Sequence, residues 1–464
     1  MDTSSVNPFR INSSTLREHI GTLIAGPADP QKHFVISQTS YGVLYDLAAH
    51  IKASCGADPR PVCLCALDKA VVTAALLASL AGGPTLILPY AFDLPVLEEL
   101  RQRTNFGCVV SDGERPVPAG VGCLVPRADQ SVWRPADMAG AAALDTEWLR
   151  LFTGGSTGTP QMWTKTVRNL LAESLSIVRH FEVTPSDRIL ATVAPNHIYG
   201  LLYAILAPLL ASAAVAGQTP SFPSEMEAAL IQSEATILIS VPAHYRALGG
   251  HPIQAPALRL AFSSAGMLAE EDGTAFSTQT GVPVVEVYGS TETGGIAERV
   301  RARGEFDFKP FPPIDISIEG DRLALRSDYL SPELQLRTDG YFMIADRVRA
   351  AAGDRFALLG RLDGIVKVGG QRVDLEAVRQ SLKNQPGVRD AAVLSLPVAG
   401  GRQNQIVALV ASDADDFQLE ASALQTLAPY ARPRSIKVVA QIPMTAAGKI
   451  DRKTIAAMFE GKSI

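Results

Sequence analysis

Short apolar runs of strand length alternate with stretches of helical periodicity along most of the chain. Residues 61–66 (PVCLCA) precede 70–80 (AVVTAALLASL), residues 188–194 precede 201–211, and residues 236–241 precede 243–248. An uninterrupted apolar run followed by a helix is the pattern of a buried parallel strand and its crossover connection. The uncharged stretch 70–92 is broken by Gly82-Gly83-Pro84, which divides it into a buried helix and a strand over 85–88. A second uncharged stretch, 189–222, contains Pro195, Asn196, His197 and Pro208. Neither offers the ~18 continuous apolar residues of a bilayer-crossing helix, so no membrane span is expected.

The texture changes near residue 310. IDISIEG, DRLALRS and DGYFMIADR are strand-sized pieces set off by turns, with Asp346 expected at the end of the last strand. Past residue 363 come a helix over 375–383, strands over 391–395 and 405–411, another helix, and a strand over 436–439. The expected fold class is α/β. A large amino-terminal domain (1–360) has parallel sheets with crossover helices and a small barrel-like β section. A small α+β carboxyl-terminal domain (361–464) follows on a short hinge.

Composition supports a folded chain and narrows its partners. At ~150 residues per unit, 464 residues hold about three folding units. Hydrophobic residues at 47% against 19% charged exclude a disordered protein. The net charge of -5 gives no basic field, so nucleic acid is not an expected partner. Cys55, Cys63, Cys65, Cys108 and Cys123 are odd in number and lack CxxC spacing, which argues against a disulfide framework or structural zinc. With no signal-like amino terminus in MDTSSVNPFRINSST, a cytoplasmic location is expected.

Four clusters carry candidate chemistry. Thr153-Gly154-Gly155-Ser156-Thr157-Gly158-Thr159-Pro160 follows an apolar strand end. Its glycines allow close backbone approach to a polyanion and its hydroxyls add donors, which suits phosphate. It lacks the Walker A lysine, and a plain surface turn has the same composition. Residues 154–158 also satisfy G-x-S-x-G, which would make Ser156 a hydrolase nucleophile, but Thr159-Pro160 delays the required helix. The last histidine is His251, so a downstream triad base has no candidate. Tyr288, Gly289, Ser290, Thr291 and Glu292 bring an aromatic ring, hydroxyls and a carboxylate together after an apolar strand over 282–287. Such a set can stack a base, meet phosphate and hold Mg²⁺. Asp346 and the run Gly360-Arg361-Leu362-Asp363 form a third cluster near the expected hinge. Lys449 sits in a glycine-bearing loop over 443–453.

In this order the clusters resemble the adenylate-forming superfamily of acyl- and aryl-CoA synthetases, adenylation domains and luciferases, over 153–452. The resemblance implies that Thr153 to Pro160 is the phosphate loop and that Asn196, His197, Tyr199 and Gly200 line the acyl pocket. It implies that Ser264, Ala265, Gly266, Tyr288 and Gly289 flank adenine, that Thr291 meets the α-phosphate and that Glu292 holds Mg²⁺. Asp346 and Arg361 would bind ribose, Asp363 would be the hinge and Lys449 the catalytic lysine. The implied cofactors are ATP, Mg²⁺ and a coenzyme A or phosphopantetheine thiol. The implied partners are a small carboxylic acid and an acyl carrier protein.

Three departures stand out. Gln161 replaces the lysine that usually follows the loop proline, leaving Lys165 as a candidate for the pyrophosphate contact. Ile344-Ala345 replaces the usual Thr-Gly before the ribose aspartate, and the chain is short for the family. Residues 194–203 contain no acid to pair with a substrate ammonium, which disfavours a free amino acid, and their neutral walls suit an aryl or medium acyl carboxylic acid. The His197-Ile198-Tyr199 order is similar to that of hydroxycinnamate and benzoate ligases, and this resemblance implies an aromatic acid. The remaining alternatives are a serine hydrolase and a non-catalytic carrier-protein-binding homologue.

Overall fold

The computed structural model describes residues 10–128, 134–153, 161–361, 364–368, 371–397, 404–412, 427, 429–445 and 449–459. Two compact units emerge. One comprises the residues up to Gly155 with Thr159–Ile316 and Leu325–Phe342; the other includes Ser317–Ala324 and Met343–Ile464.

The first unit contains two sheets. In the smaller, six strands take the order Gly122–Leu124, Cys108–Ser111, Val62–Cys65, Leu86–Leu88, Glu147–Thr153 and Gln161–Thr166. All are parallel until the last, which returns antiparallel beside Glu147–Thr153. In the larger, nine-stranded sheet, Ala214–Val215, Arg188–Ala191, Ile237–Ser240, Leu260–Ser263 and Val284–Ser290 run parallel. Gly294–Arg299 then turns back as a hairpin. The alternation of apolar runs thus predicts the parallel core correctly. Every residue of Val62–Cys65 and Ile237–Ser240 is buried, as expected of strands covered on both faces.

Helix Lys69–Leu80 explains the first uncharged stretch. All twelve of its residues are buried, and the Asp68 carboxylate caps it by accepting from Ala70 N and Val71 N. A Cβ on Gly83 would sit 2.7 Å from the Ala78 carbonyl, so glycine is needed where the chain turns off this helix. Among the described residues no helix is long and apolar enough to cross a membrane. Lys69 is the one charged residue of this helix. Its ammonium donates to the carbonyls of Ala216 and Gln218, both at 2.7 Å, and so ties the smaller sheet's first crossover to the larger sheet.

A four-stranded sheet takes the order Asp315–Glu319, Arg322–Arg326, Phe342–Ala350 and Phe356–Arg361, with the last two antiparallel. Strand Phe342–Ala350 runs on past Asp346, which lies mid-strand opposite Arg361; the expectation of a strand end there is corrected. Strands Asp390–Pro397, Asn404–Ala411 and Ser435–Val439 form a separate sheet. Helix Leu375–Lys383, capped by the Asp374 carboxylate, packs beside it. All five cysteines are free thiols.

A buried carboxylate fastens the incoming ends of three parallel strands. Asp187 accepts from the Arg259 guanidinium at 2.7 and 2.8 Å, from the Thr236 hydroxyl at 2.7 Å and from Thr184 N at 2.8 Å. Burial alone would raise its pKa, but these donors outweigh burial and hold it down at about 2. An unfolded aspartate titrates near ~3.9, so this stabilisation is complete above about pH 4 and disappears as pH falls toward the folded value. Asp187→Asn is expected to cost about 2 kcal/mol at neutral pH in urea unfolding. The gap to the parent protein should close below about pH 4; a gap of constant size down to about pH 2 would refute this account.

Candidate functional site

Parallel strands deliver their outgoing loops to one edge of the sheet, and ligands in open α/β folds bind there. The segment after Arg188–Ala191 contains Asn196, His197, Tyr199 and Gly200. His197 is the N-cap residue of helix Ile198–Leu201, its carbonyl accepting from Leu201 N at 2.8 Å. Gly200 is obligatory, because a Cβ there would lie 2.2 Å from the Ala194 carbonyl. Tyr199 is buried, its ring 5.1 Å from that of Tyr203, which in turn lies 5.2 Å from Phe262. Asn196 is half-buried, with its Oδ1 atom enclosed and unpartnered. The helix continues through a π-helical segment, Leu202–Leu206, into Ala207–Leu210. This is one element where the sequence predicts a helix starting only at residue 201.

The loop after Leu260–Ser263 holds Ser264, Ala265 and Gly266. The Ser264 hydroxyl donates to the Val287 carbonyl at 2.9 Å, which joins this loop to the Tyr288 strand. Ala265 adopts φ 67°, a left-handed conformation that costs a non-glycine residue energy and concentrates at functional sites. Both Ala265 and Gly266 are exposed.

Tyr288 and Gly289 end a strand that bulges between them before the hairpin turns. The Tyr288 ring is 5.6 Å from Phe308. A Cβ on Gly289 would lie 2.4 Å from the Gly294 carbonyl. The turn is closed by Ser290 and Thr293, whose hydroxyls are 2.8 Å apart, and by Gly294 at φ 71°. Thr291 and Glu292 lie at its tip, both half-buried. The Glu292 carbonyl accepts from Ser331 N at 2.9 Å and from the Lys165 ammonium at 3.2 Å. With its main chain held from within, Glu292 leaves a half-exposed carboxylate. Among the described residues no group of three or more His, Cys, Asp or Glu is placed to hold a metal. A Mg²⁺ ion here would rest on Glu292, with nucleotide phosphates and water completing its shell, and this single-carboxylate arrangement fits that metal.

Lys165 is fully buried, so its ammonium is not offered to a phosphate arriving from solvent. It donates instead to the Tyr329 carbonyl at 2.7 Å as well as to Glu292. Glu173, on helix Val167–His180, is buried beside it, and its Oε1 atom accepts from Gly295 N at 2.6 Å. Burial pulls the lysine pKa down and pushes the glutamate up, while their mutual attraction opposes both shifts.

Of the residues expected to bind phosphate, Thr153 is the last residue of its strand, paired with Gln161, while Gly154, Gly155, Ser156, Thr157 and Gly158 lie outside the described residues. Residues on the far side, Gln161–Thr166, form an antiparallel strand. A nucleophile elbow demands a helix there, so this geometry counts against Ser156 as a hydrolase nucleophile. In the second unit, Asp346 and Arg361 face each other across a strand pair. Asp363 lies outside the described residues. Lys449 is exposed, its N–H donating to the Thr445 hydroxyl at 3.2 Å.

Sequence reasoning missed Glu173 and a polar chain at the outgoing edge of the larger sheet. In that chain the Thr192 hydroxyl lies 2.8 Å from that of Ser240 and 2.7 Å from His244 Nδ1. Burial lowers the His244 pKa. No spacing in the sequence marks either feature.

A parallel α/β unit with such a turn, followed by a small α+β unit, is the architecture of the adenylate-forming superfamily. Residues 111–329 match the model of AMP-binding enzymes, and residues 378–449 match that of the AMP-binding enzyme C-terminal domain. A 4-coumarate–CoA ligase of Rhodobacter capsulatus is 31% identical over 319 residues, covering 67% of this chain and 76% of that one. A sulfoacetate–CoA ligase of Cupriavidus necator is 28% identical over 344 residues, 66% of each chain. In fold, ATP-bound MatB from Rhodopseudomonas palustris superposes with a TM-score of 0.79 at 21% identity, covering 96% of this chain and 99% of that one. The anthranilate CoA ligase AuaEII superposes at 0.74 with 18% identity and 99% of each chain covered. The chain belongs to the AMP-binding enzyme family.

The close approach at Gly289 yields a test. Gly289→Ala should weaken ATP binding by about tenfold in calorimetry, since overpacking of this kind typically costs ~1–3 kcal/mol. Gly250→Ala, where a Cβ would meet nothing within 4 Å, should leave it unchanged. Equal affinities for the two variants would contradict the steric reading of the turn.

Proposed function

We propose that this protein is an ATP-dependent acid–thiol ligase that activates an aromatic carboxylic acid as its acyl-adenylate and transfers the acyl group to coenzyme A. The observation that carries the reading is the Thr291–Glu292 turn, fixed by main-chain hydrogen bonds within the region that matches AMP-binding enzymes.

In the first step a substrate carboxylate oxygen attacks the α-phosphorus of ATP and the bond to pyrophosphate breaks. Like charges oppose the attack, so the rate must come from positioning and charge neutralisation. Thr291 would donate to the α-phosphate, the loop over 153–158 would cradle the phosphates, and Lys449 would neutralise charge between carboxylate and phosphate. Bound at Glu292, Mg²⁺ supplies further neutralisation of the phosphate oxygens. Ser264, Ala265, Gly266, Tyr288 and Gly289 would flank the adenine, and Asp346 and Arg361 would take the ribose hydroxyls. In the second step a thiol sulfur attacks the acyl carbonyl, the bond to AMP breaks and the thiol proton is released. A rotation of the carboxyl-terminal part about Asp363 between the steps would withdraw Lys449 from the reacting groups.

The aromatic assignment rests on the rings of Tyr199, Tyr203 and Phe262 at the acyl segment, on the absence of acid in 194–203, and on the 4-coumarate ligase relative. Coenzyme A as acceptor rests on the names of those relatives; a carrier-protein phosphopantetheine presents the same thiol.

Pyrophosphate release should require Mg²⁺–ATP together with an acid, and in a panel of 4-coumarate, benzoate, anthranilate and sulfoacetate an aromatic member should give the highest kcat/KM. Silence across the whole panel would defeat the reading, and preference for sulfoacetate would defeat its aromatic part. Lys449→Ala should slow adenylation by at least about 100-fold, the scale of a lost transition-state donor. Thioester formation from supplied acyl-adenylate should persist; equal loss of both steps would remove Lys449 from the assigned role. For Glu292→Gln, the Mg²⁺ concentration giving half-maximal rate should rise by about tenfold, and an unchanged value would move the metal elsewhere.

A further inference from the structure

Two buried ionisable side chains grip the main chain of the Thr291–Glu292 turn from the interior, and neither belongs to any of the clusters assigned above. Lys165 reaches the turn from strand Gln161–Thr166, at 0% exposure, and its ammonium spans the Glu292 carbonyl at 3.2 Å and the Tyr329 carbonyl at 2.7 Å. Glu173 reaches it from helix Val167–His180, at 4% exposure, and its Oε1 atom accepts from Gly295 N at 2.6 Å. The contact is tight. A Cβ on Gly294 would lie 2.6 Å from Glu173 Oε2 and 2.7 Å from the Tyr329 Cβ, so the left-handed residue that closes the turn rests directly on the carboxylate.

The Gln161–Thr166 strand passes directly into the helix through the Thr166–Asn169 capping box. Lys165 and Glu173 therefore stand on one continuous, well-capped support. Asn169, between them, donates its side-chain amide to the Asp328 carbonyl at 2.6 Å, beside Tyr329. One edge of this support thus fixes both the Glu292 turn and the 328–331 segment, whose Ser331 N–H meets the same Glu292 carbonyl.

Stability alone does not account for such a pair. Burying an ammonium and a carboxylate is costly, and well-packed apolar residues in their place are commonly neutral or stabilising. What the pair supplies is directional. A lysine ammonium offers three donors and can bridge two carbonyls from different segments, which no apolar side chain can do.

We propose that Lys165 and Glu173 are positioning residues for adenylation: together they set the main-chain register of the Thr291–Glu292 turn, and so the placement of the Glu292 carboxylate toward Mg²⁺ and of the Thr291 hydroxyl toward phosphate. This deepens the proposed function and rests on its assignment of the metal to Glu292. Lys165 accordingly supports the phosphate site from beneath, through the turn, and does not itself replace the loop lysine absent at position 161.

The test uses the full-length protein and acid-dependent ATP–pyrophosphate exchange, with Mg²⁺ and acid varied separately. Lys165→Met keeps the side-chain length and removes the donors. It is expected to raise the Mg²⁺ concentration for half-maximal rate about tenfold, the scale of one lost buried hydrogen bond. The KM for the acid should stay as in the parent. Placed in the Glu292→Gln background, Lys165→Met should add little further change, because the carboxylate it positions is already gone. A merely structural role would lower the amount of active enzyme and kcat while leaving the Mg²⁺ dependence untouched, and that result overturns the proposal. If Lys165→Met shows no cooperative melting, the near-isosteric Glu173→Gln is judged by the same Mg²⁺ criterion. If the parent protein itself shows no acid-dependent exchange, the failure belongs to the proposed function; an active parent with Mg²⁺-insensitive variants fails this inference alone.

Discussion

Parallel strands all leave a sheet at the same edge, and that directional constraint governs where this protein can do chemistry. Arg188–Ala191, Ile237–Ser240 and Leu260–Ser263 are side by side and in the same sense, so Thr192 meets Ser240 and His244 although about fifty positions separate them in sequence. The contacts from Thr192 to Ser240 and His244, and from Ser264 to Val287, are direct results of that geometry. At the opposite edge the described side chains Asp187 and Arg259 form an anchor. Fastening and the candidate site thus lie at opposite ends of the same strands.

The candidate site is built from close backbone approaches more than from clustered charges. Gly200 against Ala194, Gly289 against Gly294 and Gly294 against Glu173 are contacts that a single methyl group would break. Ala265, held left-handed without the freedom of glycine, is the complementary case: strain is retained at an exposed loop beside Tyr288. A turn so closely packed, with Thr293 buried beneath it, can present Thr291 and Glu292 in one orientation although both are only half-buried.

Much of the architecture could be read in advance because local and global signals agree. Helix Leu375–Lys383 carries both an aspartate cap and a strong apolar stripe, and helix Lys69–Leu80 is bounded by Asp68 and the Gly82-Gly83-Pro84 break. Strand Phe342–Ala350 was harder: Asp346 looks like a terminator, yet its antiparallel partner carries the strand onward to Ala350. Within the site, the residues around Tyr288 and Glu292 announce themselves by unusual local composition. Lys165 and Glu173 do not. Their partners, Tyr329 and Gly295, lie 164 and 122 positions away, and only the fold reveals that a lysine near a missing loop lysine is enclosed beneath the turn.

The Lys69 ammonium has a consequence for how the first unit can be divided. It collects carbonyls from Ala216, Gly217 and Gln218, which belong to the larger sheet's connections, while its own helix serves the smaller sheet. Separating the two sheets would break all of these hydrogen bonds at once. The halves are therefore not interchangeable modules: the early strands and the later ones form a single cooperative body, and a fragment ending between them would lack the acceptors that its own first crossover helix requires.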